Sequence, residues 1–238
     1  MILLFIKLLL AHLIGDFILQ PNSWVSDKEL KTYRSKFLYF HILLHGVLAF
    51  LVVGEIEFLP FALILTVLHG IIDFLKLNFQ KPNTKRTWFL TDQLLHLVTL
   101  VVIAVLYTKP EMGWDFFTER FWVMLTAIIF LTKPTSIIIK NIISIWTPEN
   151  KSNKSDDSLQ NAGNYIGIIE RLFVFYFVVS GHFDAIGFLL AAKSIFRFGD
   201  LKEAKDRKLT EYVLIGTLLS FGFAIAAGLL VQLFYSCG

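Results

Sequence analysis

Long apolar blocks alternate with short polar stretches along the whole chain. A helix that crosses a bilayer needs roughly 20 mostly apolar residues, and about eight blocks come close to that length or exceed it. They lie at about 2–20, 37–53, 58–79, 88–107, 121–145, 161–180, 183–198 and 210–235. Pro134 falls inside the fifth block and should kink or break that helix, because proline removes a backbone donor. The pattern predicts an all-α, polytopic membrane bundle of about eight transmembrane helices.

The polar loops predict how these helices are oriented. Nearly all loop lysines and arginines lie in the odd-numbered loops, whereas the even-numbered loops hold only Lys109 and Arg120. Basic loops stay in the cytoplasm, so both chain termini should face outward. The longest polar stretch, residues 147–160, is predicted to be a cytoplasmic linker. It would join four to five helices in residues 1–146 to three helices in residues 161–238.

The composition supports a membrane protein and excludes several other classes. Hydrophobic residues make up 55% of the 238 residues and charged residues only 17%, which argues against an ordinary soluble enzyme or a disordered chain. The formal net charge of +3 fits basic cytoplasmic loops, so no nucleic-acid partner is predicted. The single cysteine, Cys237, cannot form a disulfide framework or a cysteine metal site within one chain.

The first four predicted helices each carry two ligand-type side chains spaced four residues apart, so each pair lies on one helix face. The pairs are His12 and Asp16, His41 and His45, His69 and Asp73, and Asp92 and His96. Because the helices alternate in direction, all four pairs should lie in the inner half of the bilayer, in two layers about 6 Å apart. The lower layer would contain Asp16, His41, Asp73 and Asp92. The recurring pairs also predict that helices 1–2 and 3–4 form a parallel repeat.

Eight such side chains inside a membrane need something that compensates them, because each charged group at the bilayer centre costs a few kcal/mol. Neutral imidazole and carboxylate together form a ligand set for first-row transition metals. Three aspartates would balance one divalent cation, or two with a bridging hydroxide. The pattern therefore predicts one or two divalent ions, zinc first, with manganese or iron as alternatives. A purely structural His–Asp network and dihistidine haem ligation are further alternatives, although haem would leave the aspartates unexplained.

The second half of the chain contributes cations and a carboxylate instead of histidine pairs. The residues predicted to bind substrate are Arg171, Lys193, Arg197, Glu170 and, from the first half, Lys76. Cations beside a metal site suit a phosphate-bearing substrate, because they neutralise its oxygens. The alternative is that these side chains reach the membrane interface or pair with one another.

Three hypotheses about function follow from these groups. An enzyme would use the metal to activate water and hydrolyse an ester or phosphoester of a membrane lipid or lipid-linked substrate near the cytoplasmic leaflet. Asp16, Asp73 and Asp92 are then the candidates for the catalytic general base. A divalent-metal transporter would need polar residues along a path to both faces. The gathering of ligands at one depth favours the hydrolase. A structural or sensory metal protein is the third hypothesis, and a homo-oligomer is left open.

Several segments resemble a known bacterial family. They are residues 11–20, 69–73, 161–171, 190–199 and 211–216. These segments are similar to a bacterial integral-membrane family known only as a domain of unknown function, number 3307 in that series. The resemblance covers most of the chain and implies a protein of the bacterial cytoplasmic membrane, but no activity. The paired His and Asp residues also look like those of zinc-exporting cation diffusion facilitators and of membrane-embedded metal-dependent hydrolases, which are analogies only.

Overall fold

Every regular element in the described part of the chain is a helix. The computed structural model describes residues 1–107, 118–146, 157–198 and 207–237. The first helices are α1 (Ile2–Leu13), which continues into a π-helical turn (Ile14–Ile18), α2 (Asn22–Lys31), α3 (Lys36–Val53), α4 (Leu59–Phe79) and α5 (Lys85–Leu106). The later helices are α6 (Glu119–Leu131), α7 (Lys133–Ile143), α8 (Asp157–Val179), α9 (Phe183–Phe198) and α10 (Arg207–Cys237). The all-α prediction is confirmed.

Several helices are long and apolar enough to cross a membrane, which is consistent with an integral membrane protein. Four described segments are each long and apolar enough to form a span without a partner segment, namely Lys36–Val53, Ile56–Phe79, Pro82–Leu106 and Glu211–Ser236. Two bent pairs qualify if each is one span, namely Ile2–Ile18 with Asn22–Arg34 at 82° and Glu119–Leu131 with Lys133–Trp146 at 43°. The described residues thus provide four to six candidate spans. The count of eight, the outward termini and the parallel repeat stay predictions.

The helix break predicted at Pro134 separates α6 from α7. Pro134 lies in the first turn of α7, where its missing N–H needs no helical partner. The guanidinium of Arg171 donates hydrogen bonds to the carbonyl oxygens of Leu131 and Thr132 at 2.7 and 3.2 Å. A buried arginine from α8 therefore satisfies carbonyl groups at the break between α6 and α7.

The chain forms two compact units, Met1–Thr126 and Ala127–Gly238. In the first unit α1, α3, α4 and α5 pack around a core that includes Leu8, Ala49, Phe58, Leu65 and Ile103. In the second unit α10 packs along α7 and α8, burying residues such as Val174, Val178 and Ala224. Residues 147–156 of the predicted linker lie outside the described residues, so the domain assignment made from the sequence stays a prediction.

Helix α2 turns back across the end of the first unit where α3 and α5 begin. The Trp24 ring stacks on Phe37 with centroids 5.2 Å apart, and Glu29 pairs with Lys85 at 2.7 Å. These contacts hold α2 against α3 and α5. They also place Lys28 on the buried side of α2, where the residue is only 6% exposed.

Candidate metal centre

The eight predicted ligand-type side chains lie together inside the first unit. The α1 segment with its π-helical turn supplies His12 and Asp16, α3 supplies His41 and His45, α4 supplies His69 and Asp73, and α5 supplies Asp92 and His96. Seven of these residues are at most 6% exposed, and the Asp16 side chain is 11% exposed. We call these eight residues the His–Asp cluster.

Asp16 lies at the centre of the His–Asp cluster. Its Oδ1 atom is 3.0 Å from Nε2 of His45 and 3.1 Å from Nε2 of His41. Its Oδ2 atom accepts a hydrogen bond from Nε2 of Gln93 at 3.0 Å and lies 3.6 Å from Nε2 of His12. One carboxylate therefore contacts histidines from two helices and a glutamine from a third.

Gly15 allows the chain of α1 to approach α3 closely at this point. A Cβ atom on Gly15 would lie 2.6 Å from both Cε1 and Nε2 of His45, a separation that real Cβ atoms essentially never show. Gly15 and Asp16 both belong to the π-helical turn, a type of helical irregularity that is frequent at functional sites. The absence of a side chain at Gly15 thus lets the His45 ring lie against the backbone beside Asp16.

The imidazole rings pack against one another around His69. Its ring centroid is 3.7 Å from that of His45 and 4.1 Å from that of His96, with the rings nearly parallel in both pairs. Its Nε2 atom lies 3.2 Å from Nε2 of His41. Because a neutral imidazole carries one N–H and one acceptor nitrogen, such close nitrogens either share a proton or face a common cation.

Three groups of side chains could each hold a metal ion, because the ligand atoms in each group lie within 4.8 Å of one another. They are Asp16 with His41, His45 and His69; His12 with His69 and His96; and Asp16 with Asp92 and His96. The first group offers the four ligands of a tetrahedral site, in which ligand atoms are about 3.3 Å apart. Since Asp16 and His69 each belong to two groups, the three groups form one connected site.

Two buried atoms of the cluster have no hydrogen-bond partner among the described residues, Oδ1 of Asp92 and Nε2 of His96. They lie 3.4 Å apart, and Oδ1 of Asp73 is 3.7 Å from the same nitrogen. Leaving a buried polar atom unsatisfied costs about 1–3 kcal/mol, so folded proteins keep few of them. A divalent ion bound by Asp92 and His96 would satisfy both atoms. The donor set therefore fits a metal ion.

Two lysines pair with carboxylates of the cluster. Nζ of Lys28 donates to Oδ2 of Asp73 at 3.1 Å, and Nζ of Lys76 donates to Oδ2 of Asp92 at 2.7 Å. Lys76 was among the predicted substrate-binding residues, whereas Lys28 was not, because it lies between the first two apolar blocks in a loop predicted to be cytoplasmic. The polar helix that carries Lys28 gives no sign in the sequence that one of its lysines is buried.

Two glutamines also reach the cluster and were not predicted. Nε2 of Gln20 lies 3.0 Å from Nδ1 of His41, and Nε2 of Gln93 donates to Asp16 and Asp92 at 3.0 and 3.2 Å. Each glutamine is a polar residue at the edge of an apolar block or inside one, which is the signal that could have identified them. Hydrogen bonds of this kind orient metal ligands.

The predicted substrate-binding residues of the second half lie in the second unit and make local contacts there. Lys193 forms an ion pair with Glu170. Arg171 is 3% exposed and donates to the two carbonyls at the α6–α7 break and to two serine hydroxyls. The side chain of Arg197 lies outside the described part of the structure. A role of these residues in binding substrate stays a prediction.

A family comparison covers the part of the chain that contains the cluster. A family described as protein of unknown function (DUF3307) matches residues 4–125. This chain belongs to the DUF3307 family. The DUF3307 match includes all eight residues of the His–Asp cluster together with Lys28 and Lys76, and it ends within α6. No curated protein and no solved structure matches the chain.

Proposed function

We propose that this DUF3307 protein is a metal-dependent hydrolase of the bacterial cytoplasmic membrane. The observation that supports the proposal is the His–Asp cluster, in which ligand-type side chains from four helices meet almost completely removed from solvent. The proposed cofactor is one or two divalent ions, zinc first and manganese or iron as alternatives. The proposed substrate is an ester or phosphoester of a membrane lipid or lipid-linked molecule that enters from the cytoplasmic leaflet.

The first ion is assigned to the group with four ligand atoms. Asp16 supplies the carboxylate of this group, and three histidines supply the nitrogens, namely His41, His45 and His69. A second ion would use His96 with Asp92, whose unsatisfied atoms face each other at 3.4 Å. A bound divalent ion would polarise the scissile ester and lower the pKa of an attacking water.

Asp73 is the proposed general base. It belongs to none of the three ligand groups, yet its Oδ1 atom is 3.7 Å from Nε2 of His96 and 4.0 Å from Nε2 of His69. The ammonium of Lys28 holds its other oxygen at 3.1 Å. Asp73 can therefore accept a proton beside the metal while its carboxylate stays oriented by Lys28.

Replacing single aspartates with asparagine tests these roles, because the amide keeps the shape of the side chain but cannot accept the proton. Asp73→Asn should keep its metal and lose turnover by at least about 100-fold, whereas Asp16→Asn should lose metal. Asp184→Asn is the control, because it changes an exposed aspartate at the start of α9. This variant should match the wild type in metal content and in turnover. The assay measures metal content and the release of phosphate or fatty acid from bacterial lipids in vesicles. Metal-loaded protein that hydrolyses neither esters nor phosphoesters would contradict the proposal.

A purely structural polar network is the second candidate, because Lys28 and Lys76 already pair with two of the three carboxylates. Such a network would hold no metal after purification, and chelator would leave its melting temperature unchanged. The transporter hypothesis has its own test. Saturable metal flux into vesicles that contain the protein, abolished by Asp16→Asn, would replace the hydrolase with a carrier.

A further inference from the structure

Metal binding would reverse the net charge of the His–Asp cluster. Its three aspartates and the paired Lys28 and Lys76 leave one negative charge when the histidines are neutral. One divalent ion changes this to one positive charge, and a second ion adds two more. Uncompensated charge inside a membrane is costly, so the loaded site favours a bound anion. This step rests on the proposed function, because it needs the metal.

Lys28 and Lys76 have hydrogen-bond donors left for such an anion. An ammonium group carries three N–H donors, and among the described residues each of these lysines donates to one carboxylate oxygen. Two donors on each lysine can therefore serve a ligand without breaking the pairs with Asp73 and Asp92. Lys28 comes from α2 and Lys76 from the last turn of α4. The Lys76 side chain is 24% exposed, so a ligand can reach Lys76 itself from that side.

We propose that the metal-loaded His–Asp cluster binds a phosphate group through the ammonium groups of Lys28 and Lys76. A phosphate monoester presents three terminal oxygens, enough to contact a metal and two lysines at once, whereas a carboxylate presents only two. The substrate class is therefore a phosphate ester. The phosphate head group of a lipid and a water-soluble phosphate share this chemistry.

The test uses the full chain in detergent, with orthophosphate as the probe and calorimetric titration as the measurement. Zinc-loaded wild-type protein should bind orthophosphate, and metal-free protein should bind it at least about tenfold more weakly. Lys28→Gln and Lys76→Gln should each weaken binding about tenfold or more at unchanged zinc content, because each removes one charge-assisted donor. Lys28→Arg keeps the positive charge and should retain most of the binding. Lys140→Gln is the matched control, since Lys140 is an exposed lysine of α7 in the second unit.

A second arm distinguishes the two sources of phosphate. Zinc-loaded protein is placed in lipid nanodiscs of phosphatidylcholine with or without phosphatidic acid, and orthophosphate is titrated into both. Competition by phosphatidic acid indicates a lipid head group as the natural ligand, whereas undiminished binding of orthophosphate indicates a soluble one.

Two results overturn the phosphate subsite and leave the metal site standing. The first is that zinc-loaded protein binds no phosphate in either arm. The second is that orthophosphate binding is unchanged by both Lys28→Gln and Lys76→Gln. Protein that takes up no zinc contradicts the proposed function itself, as the zinc content shows directly. It also contradicts the phosphate subsite, because without metal the net charge of the cluster stays negative.

Discussion

Replacing Gly15 with alanine should damage the metal site more than it damages the fold. The added Cβ atom would lie 2.6 Å from two atoms of the His45 ring, whereas ordinary van der Waals contact begins at 3.4 Å. The ring, the π-helical turn or both must therefore move by about 0.8 Å in total. The His45 ring has little room to move, because it stacks on His69 with centroids 3.7 Å apart.

The expected effect on metal binding is large because coordination tolerates little displacement. Metal–ligand distances vary by only about 0.2 Å, and disturbing the orientation of metal ligands weakens binding about 10–100-fold. We expect Gly15→Ala to lower zinc affinity within this range. The same overpacking should destabilise the fold by about 1–3 kcal/mol. Competition with a chromophoric chelator measures the affinity, and thermal denaturation in detergent measures the stability.

Two glycines of the second unit provide matched controls. A Cβ atom on Gly228 would lie 2.6 Å from Cγ1 of Val178, so Gly228→Ala imposes an equally severe contact away from the cluster. It should lower stability and leave zinc affinity unchanged. A Cβ atom on Gly187 meets no heavy atom within 4 Å, so Gly187→Ala should alter neither quantity. A folded Gly15→Ala protein with the zinc affinity of the wild type would refute the assignment of His45 as a ligand.

Three further predictions concern the metal and the cations of the second unit. Chelator should lower the melting temperature of wild-type protein, since a bound ion adds about 2.7 kcal/mol to the free energy of unfolding when its free concentration is 100 times its Kd. An unchanged melting temperature after proven loss of metal would argue against a shared site. Arg171→Gln should destabilise the protein by about 1–3 kcal/mol in thermal denaturation, because carbonyls at the α6–α7 break lose their donors, and a loss of zinc would contradict this local role. Lys193→Gln should break the pair with Glu170 and leave orthophosphate binding to zinc-loaded protein unchanged, whereas weaker binding would return Lys193 to the substrate site.

The gathering of the His–Asp cluster could be predicted from residue spacing because a membrane imposes a strong constraint. Two ligand-type residues four positions apart share one face of a helix, and only the face turned away from lipid can accept them. The two predicted layers are less distinct than expected. Asp16 belongs to the lower layer and His45 to the upper, yet their side chains lie 3.0 Å apart. The predicted separation of about 6 Å follows from the helix rise alone, and the side chains are long enough to bridge it.

The burial of Lys28 could not be predicted, because it depends on contacts between distant parts of the chain. A polar segment with several basic residues normally indicates a solvated cytoplasmic loop. Here the stacking of Trp24 on Phe37 and the pair between Glu29 and Lys85 fold α2 against the bundle. The close approach at Gly15 has the same kind of cause, since it depends on where α3 packs. The break at Pro134 was predictable because proline acts through local backbone chemistry.

Elemental analysis of freshly purified, detergent-solubilised protein prepared without chelator shows whether the His–Asp cluster binds metal. We predict one or two zinc, manganese or iron ions per chain, and a lower content after replacement by alanine of His12, His45, His69 or His96, one at a time. His182 is the matched control, because it is an exposed histidine of the second unit and its replacement should leave the metal content unchanged. Wild-type protein without bound metal would contradict a metal site in the His–Asp cluster. A metal content that none of the four cluster substitutions lowers would contradict it as well.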